Sequence, residues 1–215
     1  MKLSLGIMVK EPIPGQVKTR LTPPLTADQA AELYRVALHE TVERVQTADY
    51  DVVLFCSGGQ PYFEKKFPKL LSIPQCEGDL GARMTAALDR LHKSRPAAAA
   101  LIGSDSPDLP LALIDAVFLS LKENDVATIP ASDGGYVLIG SRHLHPQLFQ
   151  TIDWSTDQVL TQTRQRAAAA GLVYTEYGKW EDIDDLASLQ RLLVRSPDSK
   201  TARYARQQLS QYIKV

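Results

Sequence analysis

The sequence predicts an α/β fold with a mostly parallel central sheet and helices on both of its faces. Two observations carry that prediction. Short apolar runs alternate along the chain with longer stretches in which apolar residues recur at spacings of three and four. Each apolar run also stops at a polar break, usually one containing Gly, Pro, Ser or Asp. The 215 residues read as one unit spanning 1–215, long enough to bury a core without disulfides or a structural metal.

Leu3 to Val9 is the first apolar run, and a polar loop with Pro12, Pro14 and Gly15 follows it to about Thr26. Thr26 and Gln29 have the spacing of a capping box. Beyond them Ala30, Leu33, Tyr34, Ala37, Leu38, Thr41, Val42 and Val45 form one helical stripe. Asp51–Cys56 reads as a second strand, closed by Ser57-Gly58-Gly59. Leu80, Met84, Ala87, Leu88 and Leu91 make the next helix. Ala98–Gly103 is a strand ending at Ser104-Asp105, and Leu113, Val117 and Leu121 a helix with Pro110 in its first turn. Val126–Ile129 and the run Tyr136–Gly140 follow as strands, separated by Asp133-Gly134-Gly135. A helix near 156–170, a strand near 172–177 and a helix from about Asp185 complete the body, and 196–215 reads as a polar terminal helix.

Composition excludes several classes. With 24 basic and 25 acidic residues the formal net charge is −1, which argues against a nucleic-acid partner. No run is long enough to span a membrane, and the first residues lack a signal-peptide pattern. Cys56 and Cys76 stand far apart, in no metal-binding spacing, which suits a reduced, cytoplasmic protein. The phosphate loop G-x-x-x-x-G-K-[ST], the fingerprint G-x-G-x-x-G, the pair H-E-x-x-H and the elbow G-x-S-x-G are all missing. His39 lies on a helix, and His92, His143 and His145 read as surface residues, so a histidine-centred mechanism has little support.

In open sheets of this kind ligands bind beyond the carboxyl ends of the strands. Four polar clusters sit there. Lys10, Lys18 and Arg20 lie within the eleven-residue loop Lys10–Arg20, and cations suit phosphate oxygens, although a solvated loop is the plain alternative. Asp105 falls just past a buried strand, where a carboxylate can coordinate a phosphate-bridging metal, and Asp108 is expected to cap the following helix. Asp133-Gly134-Gly135 lets backbone approach a ligand closely, or forms a simple turn. Glu181-Asp182-Ile183-Asp184-Asp185 sets four carboxylates in five residues. One caps the next helix, and the others repel each other unless a cation neutralises them.

As an ordered set these stretches resemble a bacterial family, DUF2064, to which the GT-A fold and glycosyl transfer are ascribed. The resemblance rests on Met8–Lys10 through Lys18–Leu21, Gly78–Met84, Gly103–Pro110, Asp133–Tyr136 and Phe149–Thr156, and covers Leu3 to about Leu193. It implies a GT-A/Rossmann-like, nucleotide-diphospho-sugar transferase fold. It also implies that Lys10, Lys18 and Arg20 hold nucleotide phosphates with Arg83 near them, and that Asp105 and Asp184, with Asp182, bind Mg2+ or Mn2+. Asp105 and Asp133 would be the catalytic carboxylates, and Asp133, Gly134 and Gly135 would line the sugar or acceptor side. Trp154 would stack on a sugar or base, or belong to the core. The set is similar, more distantly, to guanylyltransferases that activate phospholactate or the molybdenum cofactor, whose late Asp-x-Asp-Thr is Asp182-Ile183-Asp184-Asp185 here. Sugar transfer from a nucleotide-diphospho-sugar is therefore the first expectation. Nucleotidyl transfer from a nucleoside triphosphate is the second, and a non-catalytic nucleotide binder the third. Base, sugar, acceptor, stereochemistry and oligomeric state are not legible.

Overall fold

A computed structural model describes residues 3–94 and 96–213. Seven strands form one sheet: β1 (Leu3–Lys10), β2 (Asp51–Ser57), β3 (Leu71–Pro74), β4 (Ala98–Gly103), β5 (Val126–Pro130), β6 (Tyr136–Ser141) and β7 (Tyr174–Glu176). Their spatial order is β3-β2-β1-β4-β6-β5-β7. β1 pairs in parallel with β2 and β4, β2 with β3, and β5 with β7, while β6 runs antiparallel to both β4 and β5. Six strands therefore point one way. Their carboxyl ends and the start of β6 share one edge of the sheet.

The helices are α1 (Ala27–Val45), α2 (Gln60–Lys66), α3 (Leu80–His92), α4 (Leu111–Ser120), α5 (Val159–Ala169), α6 (Leu186–Arg195) and α7 (Lys200–Gln208). Period-two alternation in the strands assigns them to two faces. Leu5, Ile7, Val9, Leu54, Ala100, Ile102, Ala127 and Ile129 pack with residues of α1, α2 and α4. Phe55, Ala99, Leu101, Val126 and Ile139 face the other way, against α3, α5 and Phe149. Both faces are thus covered, which is why the strands read as continuous apolar runs. Gly6 is required at the centre of β1. A Cβ there would sit 2.5 Å from Leu101 and 2.8 Å from Phe55.

A third, smaller core gathers Leu21, Leu25, Ala30 and Leu33 with Ile183, Leu189, Leu192, Ala202 and Ala205. It anchors the loop after β1 and the segment after β7 to the same apolar cluster. The expected capping box forms at Thr26 and Gln29. A second one joins Asp185 to Ser188 at the start of α6.

Several expectations need correction. Asp108 does not cap α4, whose N-cap is Pro110. α2 and β3 were not predicted: one is a seven-residue helix, the other a four-residue edge strand with Leu71 53% exposed. The polar terminal helix is shorter than 196–215, running Lys200–Gln208 before a 3-10 turn at Ser210–Tyr212, and residues 214 and 215 lie outside the described residues. His39 lies on α1 as expected, and of the three histidines expected at the surface His143 is exposed whereas His92 and His145 are half-buried. Among the described residues no helix is long and apolar enough to cross a membrane.

Candidate active site

The shared edge carries a cleft of about 780 Å3, lined from the ends of β1, β4 and β5, the start of α3, and segments 154–157 and 182–184. Lys10, Lys18, Arg20, Arg83, Asp105, Asp133, Gly135, Asp182 and Asp184 all contribute to its wall. Lys10 and Asp184, 174 positions apart in sequence, thus line one cleft because the parallel topology returns the carboxyl ends of six strands to one edge.

Lys18 is the centre of the charged half. Its backbone is left-handed (φ 50°) and its side chain is only 6% exposed. The ammonium forms an ion pair with Asp105 Oδ1 and another, at 3.1 Å, with Asp184 Oδ1. Burial alone would lower its pKa, but Asp105 and Asp184 outweigh that and hold the ammonium above its ordinary value. Arg20 Nη1 reaches the second Asp184 oxygen at 3.4 Å and is otherwise exposed. The cationic loop is therefore already engaged with the acidic segment, and Lys10, which is exposed, remains turned to solvent at the rim.

Two neighbours fix this geometry. Leu21, next to Arg20, and Ile183, between Asp182 and Asp184, are both buried in the third core. The Ile183 N–H also donates to the Asp105 carbonyl at 3.0 Å. With Ile183 pointing inward, its two flanking aspartates face the cleft. The hydroxyl of Tyr34 accepts from the Lys10 N–H at 3.0 Å and shares a buried hydrogen bond with Ser104 Oγ at 2.8 Å. It pins the end of β1 to the end of β4. Tyr34 was legible only as part of a helical stripe, since nothing local marks the hydroxyl's role.

The four late carboxylates divide their work. Asp185 caps α6, accepting from the Ser188 N–H at 2.7 Å. Glu181 is held by Arg191 and Arg195. Asp182 accepts from Ser106 Oγ, and burial together with the Asp105 charge pushes its carboxyl up to about 7. Asp184 faces Lys18 and Arg20. Asp108, away from the cleft, is buried and accepts from Arg195 at 2.7 and 3.1 Å, Ser196 at 2.7 Å and Trp180 Nε1 at 3.2 Å, with the Arg195 guanidinium over the Trp180 ring.

On the opposite wall, Asp133 Oδ1 accepts from the Gly135 N–H at 3.0 Å, closing an Asx turn. Gly134 (φ 92°) is not among the residues lining the cleft. A Cβ there would lie 2.3 Å from the carbonyl oxygen of Asp157, so the glycine lets the 154–158 segment close on the turn. Its carbonyl accepts from the Leu160 N–H at 2.8 Å. Trp154 packs over Gly81, where a Cβ would meet the indole at 2.8 Å, and it borders the cleft with Nε1 unpartnered. Leu80, expected inside, is 44% exposed on the cleft wall. Arg83 donates from Nε to the Gly78 carbonyl at 3.0 Å and leaves the rest of its guanidinium toward the cleft.

Among the described residues no three Asp, Glu, His or Cys side chains are grouped to hold a metal ion. Asp105 and Asp184 nonetheless bring two carboxylates onto a single cationic atom. Hard oxygen donors in that number suit Mg2+ or Mn2+, which commonly take one or two protein carboxylates and complete their shell with water and substrate phosphates. The residues fit such an ion as a pair, not as a closed cage.

Residues 39–156 match the family model described as "Uncharacterized protein conserved in bacteria (DUF2064)". The chain belongs to this family. It is 30% identical over its full length, and the full length of the other chain, to a Desulfovibrio desulfuricans G20 protein described as a "putative nucleotide-diphospho-sugar transferase", with a TM-score of 0.89. A cytidylyltransferase from Leptospira borgpetersenii shares the fold at 13% identity, covering 100% of this chain and 99% of its own, with a TM-score of 0.56. A Mycobacterium tuberculosis H37Rv protein solved in complex with manganese shares it at 16% identity, 90% and 99% coverage, and a TM-score of 0.53. No curated protein matches the sequence.

Proposed function

We propose that this chain is a nucleotide-using transferase that moves a sugar from a nucleotide-diphospho-sugar to an acceptor, assisted by Mg2+ or Mn2+. The observation that carries the reading is the cleft itself. Cations of the loop after β1, suited to phosphate oxygens, line one cleft with carboxylates from the end of β4 and the segment after β7. The full-length likeness to a protein described as a "putative nucleotide-diphospho-sugar transferase" supports a sugar nucleotide as the donor.

Arg20, Arg83 and Lys10 would bind the diphosphate, arginine contacting two oxygens at once. Asp105 and Asp184 would hold the metal ion, which supplies Lewis-acid neutralisation of charge on the departing phosphate. Asp182, close to both, would adjust the charge of that pair. Asp133 and the Gly135 backbone would line the sugar or acceptor side, with Trp154 offering an apolar face to a sugar ring.

The test is product identity. The purified chain would be incubated with Mn2+ and nucleotide-diphospho-sugars or nucleoside triphosphates in turn, and phosphorus NMR would identify the products. Slow release of a nucleoside diphosphate from one sugar nucleotide is the expected result. Release of pyrophosphate from a triphosphate would replace sugar transfer by nucleotidyl transfer.

A further inference from the structure

Lys18 occupies the point at which Asp105 and Asp184 converge, and two further features make that placement notable. The lysine is buried and held by a left-handed backbone, unlike the exposed Lys10 and Arg20 of the same loop. Among the described residues Asp105 and Asp184 are also the cleft carboxylates ion-paired to a common cation, since Asp182 accepts from Ser106, and Glu181 and Asp185 are committed to Arg191 and Arg195 and to the α6 cap. An ammonium and a divalent ion cannot both occupy one pair of carboxylate oxygens. A divalent ion beside a retained ammonium would also meet uncompensated repulsion in a partly water-excluded site.

We propose that Lys18 is a built-in cation that competes with the divalent ion for Asp105 and Asp184, so that the metal enters only as Lys18 leaves for the phosphates of the bound nucleotide. Lys18 is then a positioning residue: it keeps the two carboxylates together in the free protein and releases them when phosphate oxygens offer its ammonium another partner. Two carboxylates without a third ligand hold a divalent ion weakly, and the phosphates that attract Lys18 also supply the missing oxygens. Metal and nucleotide binding would therefore be coupled, each strengthening the other by the same factor. The inference rests on the reading of Asp105 and Asp184 as the metal-holding pair.

The test measures Mn2+ binding to the full chain without any nucleotide, from the electron paramagnetic resonance signal of free Mn2+. Lys18→Met is expected to bind Mn2+ about tenfold or more tightly than the unaltered chain, within the usual range of coupling between sites. Lys18→Arg, which keeps the charge, is expected to bind as weakly as the unaltered chain. Adding Asp105→Asn to Lys18→Met is expected to abolish the gain. Mn2+ should also raise the melting temperature of Lys18→Met more than that of the unaltered chain. Lys18→Gln, which keeps a hydrogen-bond donor without the charge, repeats the comparison if Lys18→Met does not fold. Equal Mn2+ affinity with and without the lysine charge would overturn the proposal. If the gain appears but no nucleotide binds any variant, the competition stands and the transferase reading falls.

Discussion

Asp108 and Asp182 both lie beyond strand ends, yet their surroundings drive their carboxyls in opposite directions. Burial raises both. At Asp108 the bonds from Arg195, Ser196 and Trp180 outweigh it and hold the carboxyl below its ordinary 3.8, whereas at Asp182 the neighbouring Asp105 charge adds to it. A lowered folded pKa gives stability that is present above the ordinary value and lost as pH falls through the folded one. Asp108→Asn is therefore expected to flatten the acid limb of the stability curve below about pH 4 and to cost about 2 kcal/mol at neutral pH, because Arg195 loses its charged partner. Chemical denaturation across pH checks both. Sequence spacing made Asp108 a helix cap. Its actual partners stand 72 to 88 positions away, and no local signal records them.

At the scale of elements, the strands and long helices were legible because period-two and three-and-four patterns survive wherever an element buries a face. α2 and β3 were not, since a short amphipathic piece and an exposed edge leave too little pattern to read. In the Glu181–Asp185 segment the cap was legible at Asp185, but the carboxylates expected to be free are each engaged by the protein, Glu181 by Arg191 and Arg195, Asp182 by Ser106 and Asp184 by Lys18 and Arg20, the last two at the cleft. The segment's alternation puts those two there: Ile183 is drawn into the core and Asp182 and Asp184 are turned out. Glu40 carries no local sequence signal of its role. It is buried on α1 and accepts from the Lys200 N–H, the Thr201 N–H and the Thr201 hydroxyl at 2.7 to 2.8 Å, fastening the start of α7. Glu40→Ala is expected to cost about 2 kcal/mol and to raise hydrogen exchange in α7 before the sheet. Gly134→Ala is expected to lose about 2 kcal/mol, since the left-handed backbone and the Asp157 carbonyl both oppose a Cβ. A melting curve equal to that of the unaltered chain would contradict either expectation.

At the scale of the whole molecule, a net charge of −1 conceals a concentration of charges of both signs at one edge. One edge of the sheet concentrates Lys10, Lys18, Arg20 and Arg83 with Asp105, Asp182 and Asp184, while the sheet faces are closed by apolar cores. The location of the cleft followed from the mostly parallel sheet that the alternation of strands and helices predicts, since such sheets gather the carboxyl ends of their strands at one edge. The engagement of Lys18 did not, because a lysine that binds phosphate and one that binds carboxylate look alike in sequence. The proposed function requires this edge to receive a nucleotide diphosphate carrying a sugar. Its most direct test is the melting temperature of the purified chain with nucleotide-diphospho-sugars, nucleoside diphosphates and nucleoside triphosphates, each with and without Mn2+. A rise with one nucleotide-diphospho-sugar, larger when Mn2+ is present and absent in Asp105→Asn, is the expected result. No rise with any nucleotide, or a rise that Asp105→Asn leaves unchanged, would contradict the account.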